Sequence, residues 1–223
     1  RLVGESLAAN YDDDTGSIDK QRKRKHNKEF ANFLKAKNVD THKTAADIAN
    51  FISITCGIEN KTTEYTECIS AANRLFTGLT DEHLSSNDNI KSQCKALRES
   101  FFLGKYSQYF LNRIHNQFSK SILDPGEFRI NSHSSPTGIT YCNPEDFHRS
   151  LNLLSNCKDP VLRHALFEWV HPFCDGNGRA GRILLALDLN YDFEKVNKIL
   201  SDSYIENLDN FFHENNVEQY FAQ

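Results

Sequence analysis

The chain has 223 residues, 39% hydrophobic and 25% charged, which excludes disorder through low hydrophobicity and high charge and is enough chain to bury the core of one ordinary domain, with or without a small appended bundle. Its 26 basic and 30 acidic residues leave a net charge of −4, so no global field draws it to nucleic acid or an anionic membrane and any anion binding has to be local. Six scattered cysteines, with no C-x-x-C pair and no Cys/His zinc spacing, fit a reducing, cytoplasmic setting, and no apolar run reaches bilayer length.

Residues Arg1–Asn10 lack the layout of a secretion signal, and the absence of methionine reads as a processed or excised fragment, or as a loss of methionines that would shorten some spacings slightly. Residues 1–38 read as a polar N-terminal arm, and the basic run Lys20 to Lys28 within it reads as a solvated helix face. Residues 39–99 form an N-terminal helical region. Thr41 offers an N-cap ahead of Ala45, Ile48, Ala49 and Ile52, and Thr63 to Phe76 turns Tyr65, Ile69, Ala72 and Leu75 inward. Helices follow over Asn89 to Leu103 and Ser107 to Ser121.

After Pro125-Gly126, Phe128, Ile130, Ile139 and Tyr141 flank Ser134-Ser135-Pro136-Thr137-Gly138, which predicts a β-hairpin with a loose turn. Pro144 opens a helix through Leu154, and Asp159-Pro160 opens another that buries Leu162, Leu166 and Trp169 and ends at His171-Pro172. Helices over Arg179 to Leu189 and Lys195 to Phe212 complete an all-α fold with one hairpin. Residues 100–200 read as the core domain and 201–223 as a C-terminal helix.

The segment from His171 to Arg182, HPFCDGNGRAGR, carries little that packs except Phe173. Glycines 176 and 178 permit positive φ and close backbone approach, so successive N–H groups can hold an anion where the loop opens onto a helix N-terminus. Arg179 and Arg182, one turn apart, suit a polyphosphate, since each fork takes its own oxygens. The helix dipole disfavours cations at that end, which points to function. Asp175 among these cations is suited to Mg²⁺ bridging phosphate oxygens, and His171, titrating near neutrality, suits a general base.

This segment resembles the Fic family motif H-x-F-x-[D/E]-G-N-G-R-x-x-R at every specified position. Leu111-Asn112-Arg113-Ile114-His115, Pro125-Gly126-Glu127-Phe128-Arg129 and Arg163-His164-Ala165 extend the likeness over roughly residues 100 to 200. The resemblance implies a Fic-type helical bundle with a hairpin flap, and a protein adenylyltransferase. His171 would deprotonate a Ser, Thr or Tyr hydroxyl, which attacks the α-phosphate of ATP. Asp175 would hold Mg²⁺, and Gly176, Asn177 and Gly178 would form the anion hole. Arg179 and Arg182 would take the β- and γ-phosphates, and Phe173 would anchor the loop. The flap, with Thr137, Gly138 and Ile139, would bind the target by β-augmentation.

The resemblance also implies a brake. Thr55-Cys56-Gly57-Ile58-Glu59-Asn60 fits the family's inhibitory pattern [S/T]-x-x-x-E-[G/N], with Thr55, Glu59 and Asn60 at its specified positions. Glu59 would then pair with Arg182 and block the γ-phosphate. The partners implied are ATP and a hydroxyl-bearing protein, with no nucleic acid and no membrane. Homo-oligomerisation and the choice between bacterial cytosol and the host cytosol of a delivered effector are open. The rival readings are transfer of UMP, phosphocholine or phosphate on the same scaffold, and a non-catalytic nucleotide-binding module.

Overall fold

The computed structural model describes residues 8–37, 40–103, 106–201 and 203–221, with backbone alone at 8–18 and 103. Ten α-helices run through the described residues: α1 (Ala8–Lys37), α2 (Thr41–Ile58), α3 (Tyr65–Leu75), α4 (Asp88–Leu103), α5 (Gln108–His115), α6 (Phe147–Asn156), α7 (Pro160–Val170), α8 (Asn177–Asp188), α9 (Phe193–Ile199) and α10 (Tyr204–Glu214). None is long and apolar enough to cross a membrane.

The core is arranged around α4, which touches α1, α2, α3, α5 and α8. Helix α8 is the most enclosed: Ala180, Ile183, Leu184, Leu185 and Ala186 are wholly buried against its neighbours. Each large aliphatic side chain removed from water stabilises the fold by about 1.5–3 kcal/mol, so the N-terminus of α8, where the loop attaches, rests on a rigid base.

Local chemistry moves several expected boundaries. Asp40 rather than Thr41 caps α2, its Oδ1 accepting the N–H groups of His42 at 2.9 Å and Lys43 at 3.0 Å. Tyr65 opens α3 from its exposed side, 45% accessible, while Ala72 and Leu75 face inward. Helix α5 ends at His115 and tightens into a 3-10 turn at Asn116–Phe118, short of Ser121. The single helix expected over Lys195 to Phe212 is two, because α9 closes at the buried Leu200 and the chain turns so that the Tyr204 hydroxyl meets His164 Nε2 at 2.8 Å.

The N-terminal arm is not merely an appendage. Its residues from Ala8 form a 30-residue helix, with Arg1 to Leu7 outside the described residues. Its polar length ends in an apolar stripe, Phe30, Ala31 and Leu34, buried to 2% or less. The Phe30 ring meets Phe101 at 5.3 Å and Tyr191 at 5.6 Å.

No β-strand occurs among the described residues. In place of the expected hairpin, residues 129–141 form an irregular loop closed by one antiparallel bridge, Ser134 to Thr140, with Ser135 N donating to Ile139 O at 2.8 Å and Tyr141 N to His133 O at 3.1 Å. The run Ser-Ser-Pro-Thr-Gly has no alternating apolar face to hold longer strands, and Ile130 lies 86% exposed.

Candidate active site

His171 closes α7 in a left-handed conformation (φ 47°, ψ 57°), uncommon for a residue with a Cβ and found where surrounding structure enforces it. The enforcement comes from Arg129, 4% exposed. Its Nε donates to the His171 carbonyl at 2.7 Å, and its other nitrogens donate to the carbonyls of Asn131 and Cys142. One guanidinium thus ties the end of α7 to both sides of the 129–141 loop.

The imidazole of His171 is equally constrained. Its Nδ1 lies 3.0 Å from the Glu168 carbonyl. A carbonyl only accepts, so Nδ1 carries the proton and Nε2 keeps its lone pair. Burial, aided by His133 and Arg129 and opposed by the Glu168 hydrogen bond, pulls His171 down to about 4, and the ring is neutral at pH 7. The Tyr141 ring stacks on it at 3.9 Å, with His133 behind at 5.7 Å.

The loop after His171 is braced from within. Asn177, 2% exposed, accepts the Phe173 N–H at 2.9 Å and returns its Nδ2 to the Phe173 carbonyl at 2.8 Å. Its side chain is therefore committed to the loop, and only its backbone N–H remains for an anion. Phe173 is fully buried and stacks on His115 at 3.7 Å, as expected of the anchor. His115 Nδ1 accepts the Gly126 N–H at 2.9 Å, so Nε2 carries the proton donated to the Asp175 carbonyl at 2.7 Å. Burial lowers His115 to about 4.

Only Gly176 of the two glycines uses positive φ, at 80°; Gly178 is helical and serves by lacking a Cβ, which would stand 2.8 Å from Arg182 Nη1. No side chain caps α8, so its first-turn N–H groups open towards the loop's concavity with the positive end of the helix dipole behind them.

Arg179 and Arg182 are both buried, 5% and 1% exposed. Arg179 Nη1 donates to Ser121 Oγ at 2.8 Å, and its guanidinium lies 5.6 Å from the Phe118 ring centre. Glu59, the C-cap of α2, meets both arginines: its Oε1 pairs with Arg182 Nη2 and its Oε2 lies 3.7 Å from Arg179 Nε. Thr55 is wholly buried one turn earlier, with its hydroxyl unpartnered, and Asn60 follows at φ 54°. The cavity beside Glu59 and Arg179 holds only about 10 Å³.

Behind Arg182, Glu168 packs its carboxyl against Gly181, where an added Cβ would stand 2.0 Å from Oε1. Burial raises Glu168 to about 7 despite the pull of Arg182. Asp175 is 41% exposed at its side chain; Oδ1 accepts the Gly176 N–H at 2.6 Å and lies 3.4 Å from Arg179 Nη2. Among the described residues no three His, Cys, Asp or Glu side chains gather as a metal cage.

Thr137 donates its hydroxyl to Asp209 on α10 at 2.8 Å, Gly138 stands in open space at φ 89°, and Ile139 packs against the core. These three residues therefore lie on a loop partly held by α10, not on a free strand edge. All six cysteines are free.

The Fic/DOC family model matches residues 105–189, the span that holds α5, the 129–141 loop, α7 and α8. The chain carries a Fic/DOC domain. It is 64% identical over 28 residues to a probable protein adenylyltransferase from Aquifex aeolicus, a stretch covering 13% of this chain and 9% of that protein. A Fic family protein from Desulfovibrio desulfuricans shares the fold with a TM-score of 0.58 at 17% identity, over 84% of this chain and 64% of that one. A Fic domain containing signaling protein from Bacteroides thetaiotaomicron aligns with a TM-score of 0.49 at 20% identity, over 82% of each chain. The chain thus spans less than two thirds of both the Aquifex and the Desulfovibrio proteins.

Within the Fic/DOC domain, sequence reasoning missed four residues that shape the site. Arg129 and His115 stood inside quoted motifs, yet their contacts span 42 and 60 positions of chain. Tyr141 and Glu168 gave no local signal beyond a strand pattern and a helix face.

Proposed function

We propose that this Fic/DOC domain is a protein adenylyltransferase, moving AMP from ATP to a Ser, Thr or Tyr hydroxyl of another protein. The observation that carries the reading is the tautomer of His171: Nδ1–H is spent on the Glu168 carbonyl, leaving a neutral Nε2 on the residue that opens the loop to the uncapped N-terminus of α8. A nucleotide-binding module has no use for such a base. The name of the Aquifex relative agrees with this reading.

In the proposed reaction His171 Nε2 takes the hydroxyl proton as that oxygen attacks the α-phosphorus. The bond from the α-phosphorus to the bridging oxygen breaks in line, and pyrophosphate leaves with the electron pair. The first-turn N–H groups at Asn177 and Gly178, with Gly176 supplying the turn, receive the phosphate oxygens. Arg179 and Arg182 hold the β- and γ-phosphates. Magnesium held by Asp175 would neutralise charge on those phosphates. Rate comes mainly from positioning and fixed charge.

The chain as described is in a braked state on this reading. Glu59 pairs with Arg182 and lies 3.7 Å from Arg179 Nε, where the terminal phosphates of the donor would have to sit. Thr137, Gly138 and Ile139 would receive the target's main chain once the loop extends.

Mass spectrometry of Glu59→Gly incubated with mixed nucleoside triphosphates and magnesium tests the reading. An AMP increment on a hydroxyl side chain, absent from Glu59→Gly/His171→Ala, is expected. A UMP or phosphate increment would replace the donor, and nucleotide affinity without any transfer would replace the enzyme by a binding module.

A further inference from the structure

A second charged cavity lies away from the Fic loop, and none of its lining residues belongs to the 171–182 segment. It holds about 380 Å³ between α1, α4, α5 and the turn at Asp81, within the size of small-ligand sites. Five Lys and Arg side chains line it against three Asp and Glu. A local positive excess is notable in a chain whose net charge is −4.

The acids are already committed unequally. Asp81 is shared by Lys23 at 2.7 Å and Arg98 at 3.1 Å, and Glu99 is taken by Arg113. Arg22 and Lys95 have no acidic partner among the described residues, and Asp19 is the one opposing carboxylate left over. The decisive residue is Arg98. It is 3% exposed, hydrogen-bonds only to Asp81, and its Nε and Nη2 have no partner.

A buried guanidinium with two unmade donors is costly, and burial accordingly lowers its pKa. Nε and Nη2 are closed off from the cavity as the side chain stands, so an anion with several oxygens drawn to Arg22 and Lys95 supplies the missing acceptors once the guanidinium turns towards it. His26 stacked on Phe102 at 4.2 Å forms an aromatic wall to the same cavity.

We infer that this cavity is a binding site for a phosphate-bearing anion, held by Arg98, Lys95 and Arg22 and separate from the candidate active site. It stands or falls independently of the adenylyltransferase reading. The ligand chemistry is a di- or triphosphate, free or carried by a nucleotide.

The test is amide NMR of the full chain titrated with inorganic pyrophosphate and, separately, with magnesium-free ATP. The expected result is saturable shifts around residues 22–26 and 95–99, weakened about tenfold in Arg22→Gln/Lys95→Gln. That variant removes two surface charges and spares the buried Arg98, so it keeps the fold. Tighter ATP than pyrophosphate identifies a nucleotide seated on the His26–Phe102 wall, and equal affinities identify a free polyphosphate. Shifts confined to residues 176–182, or affinity unchanged in the double variant, overturn the inference.

Discussion

Replacing Glu59 by Gln separates two effects of one ion pair that have opposite signs. Arg182 is 2% exposed at its side chain and Glu59 23%. Removing one partner of a fully buried pair costs about 3–5 kcal/mol because the other charge is stranded. Here water reaches Glu59, and the Glu168 carboxyl lies close enough to act on Arg182, so a loss of about 2 kcal/mol is the reasoned figure. For a chain of this size that lowers Tm by roughly 4–8 °C. The same change removes the carboxylate charge facing Arg182, while Arg179 keeps Ser121 and Asp175, and the variant binds nucleotide more tightly.

Thermal unfolding of both proteins, with and without magnesium and ATP, reads the two effects together. Without nucleotide the variant melts lower. With nucleotide at about a hundred times its dissociation constant it regains about 2.7 kcal/mol, whereas the parent gains less. An unchanged Tm would mean that the pair contributes nothing to the fold. A lower Tm without improved ATP affinity would refute the claim that Glu59 competes with phosphate.

Four further outcomes follow from the geometry. His115 and His171 are pulled to about 4 and His164 to about 3, all by burial. With folded values below the unfolded one near 6.5, stability is complete above pH 6.5 and falls as pH drops towards 4, by about 3 kcal/mol through His115 alone; urea unfolding at pH 7 and pH 4 measures it, and His115→Gln should flatten the slope. Label transfer by a Glu59→Gly protein should lack a titration near 6.5, since His171 is already neutral there. Arg129→Lys should cut label transfer at least tenfold while leaving ATP affinity intact, because three donors on one nitrogen cannot reach carbonyls held by three separate nitrogens of a planar fork; equal losses of both would mean that Arg129 acts on the whole loop. Gly181→Ala drives a methyl into Glu168 Oε1 and should destabilise by about 1–3 kcal/mol in denaturant titrations, with an unaltered midpoint excluding the close packing at that face.

The sequence by itself determined the helices with a clear apolar period and the loop from His171 to Arg182. Helical period is local, as is the opening of α7 at Asp159-Pro160, and the loop proposed to hold phosphate lies within twelve consecutive residues. The match at Thr55 to Asn60 was also legible as a pattern, although its pairing with Arg182 joins positions 123 residues apart.

Tertiary structure alone decided what holds these local parts in working order. The left-handed His171 depends on Arg129, the anchoring of the loop at Phe173 and Asp175 on His115, and the neutral state of both imidazoles on burial that no spacing encodes. It also decided that the expected hairpin closes by one bridge, since strand pairing needs a partner face that the Ser-Ser-Pro-Thr-Gly run does not offer. The polar arm likewise became a helix seated on the core, because Phe30 and Phe33 near its end find Phe101 and Tyr191, partners that are distant in the chain and adjacent only after folding.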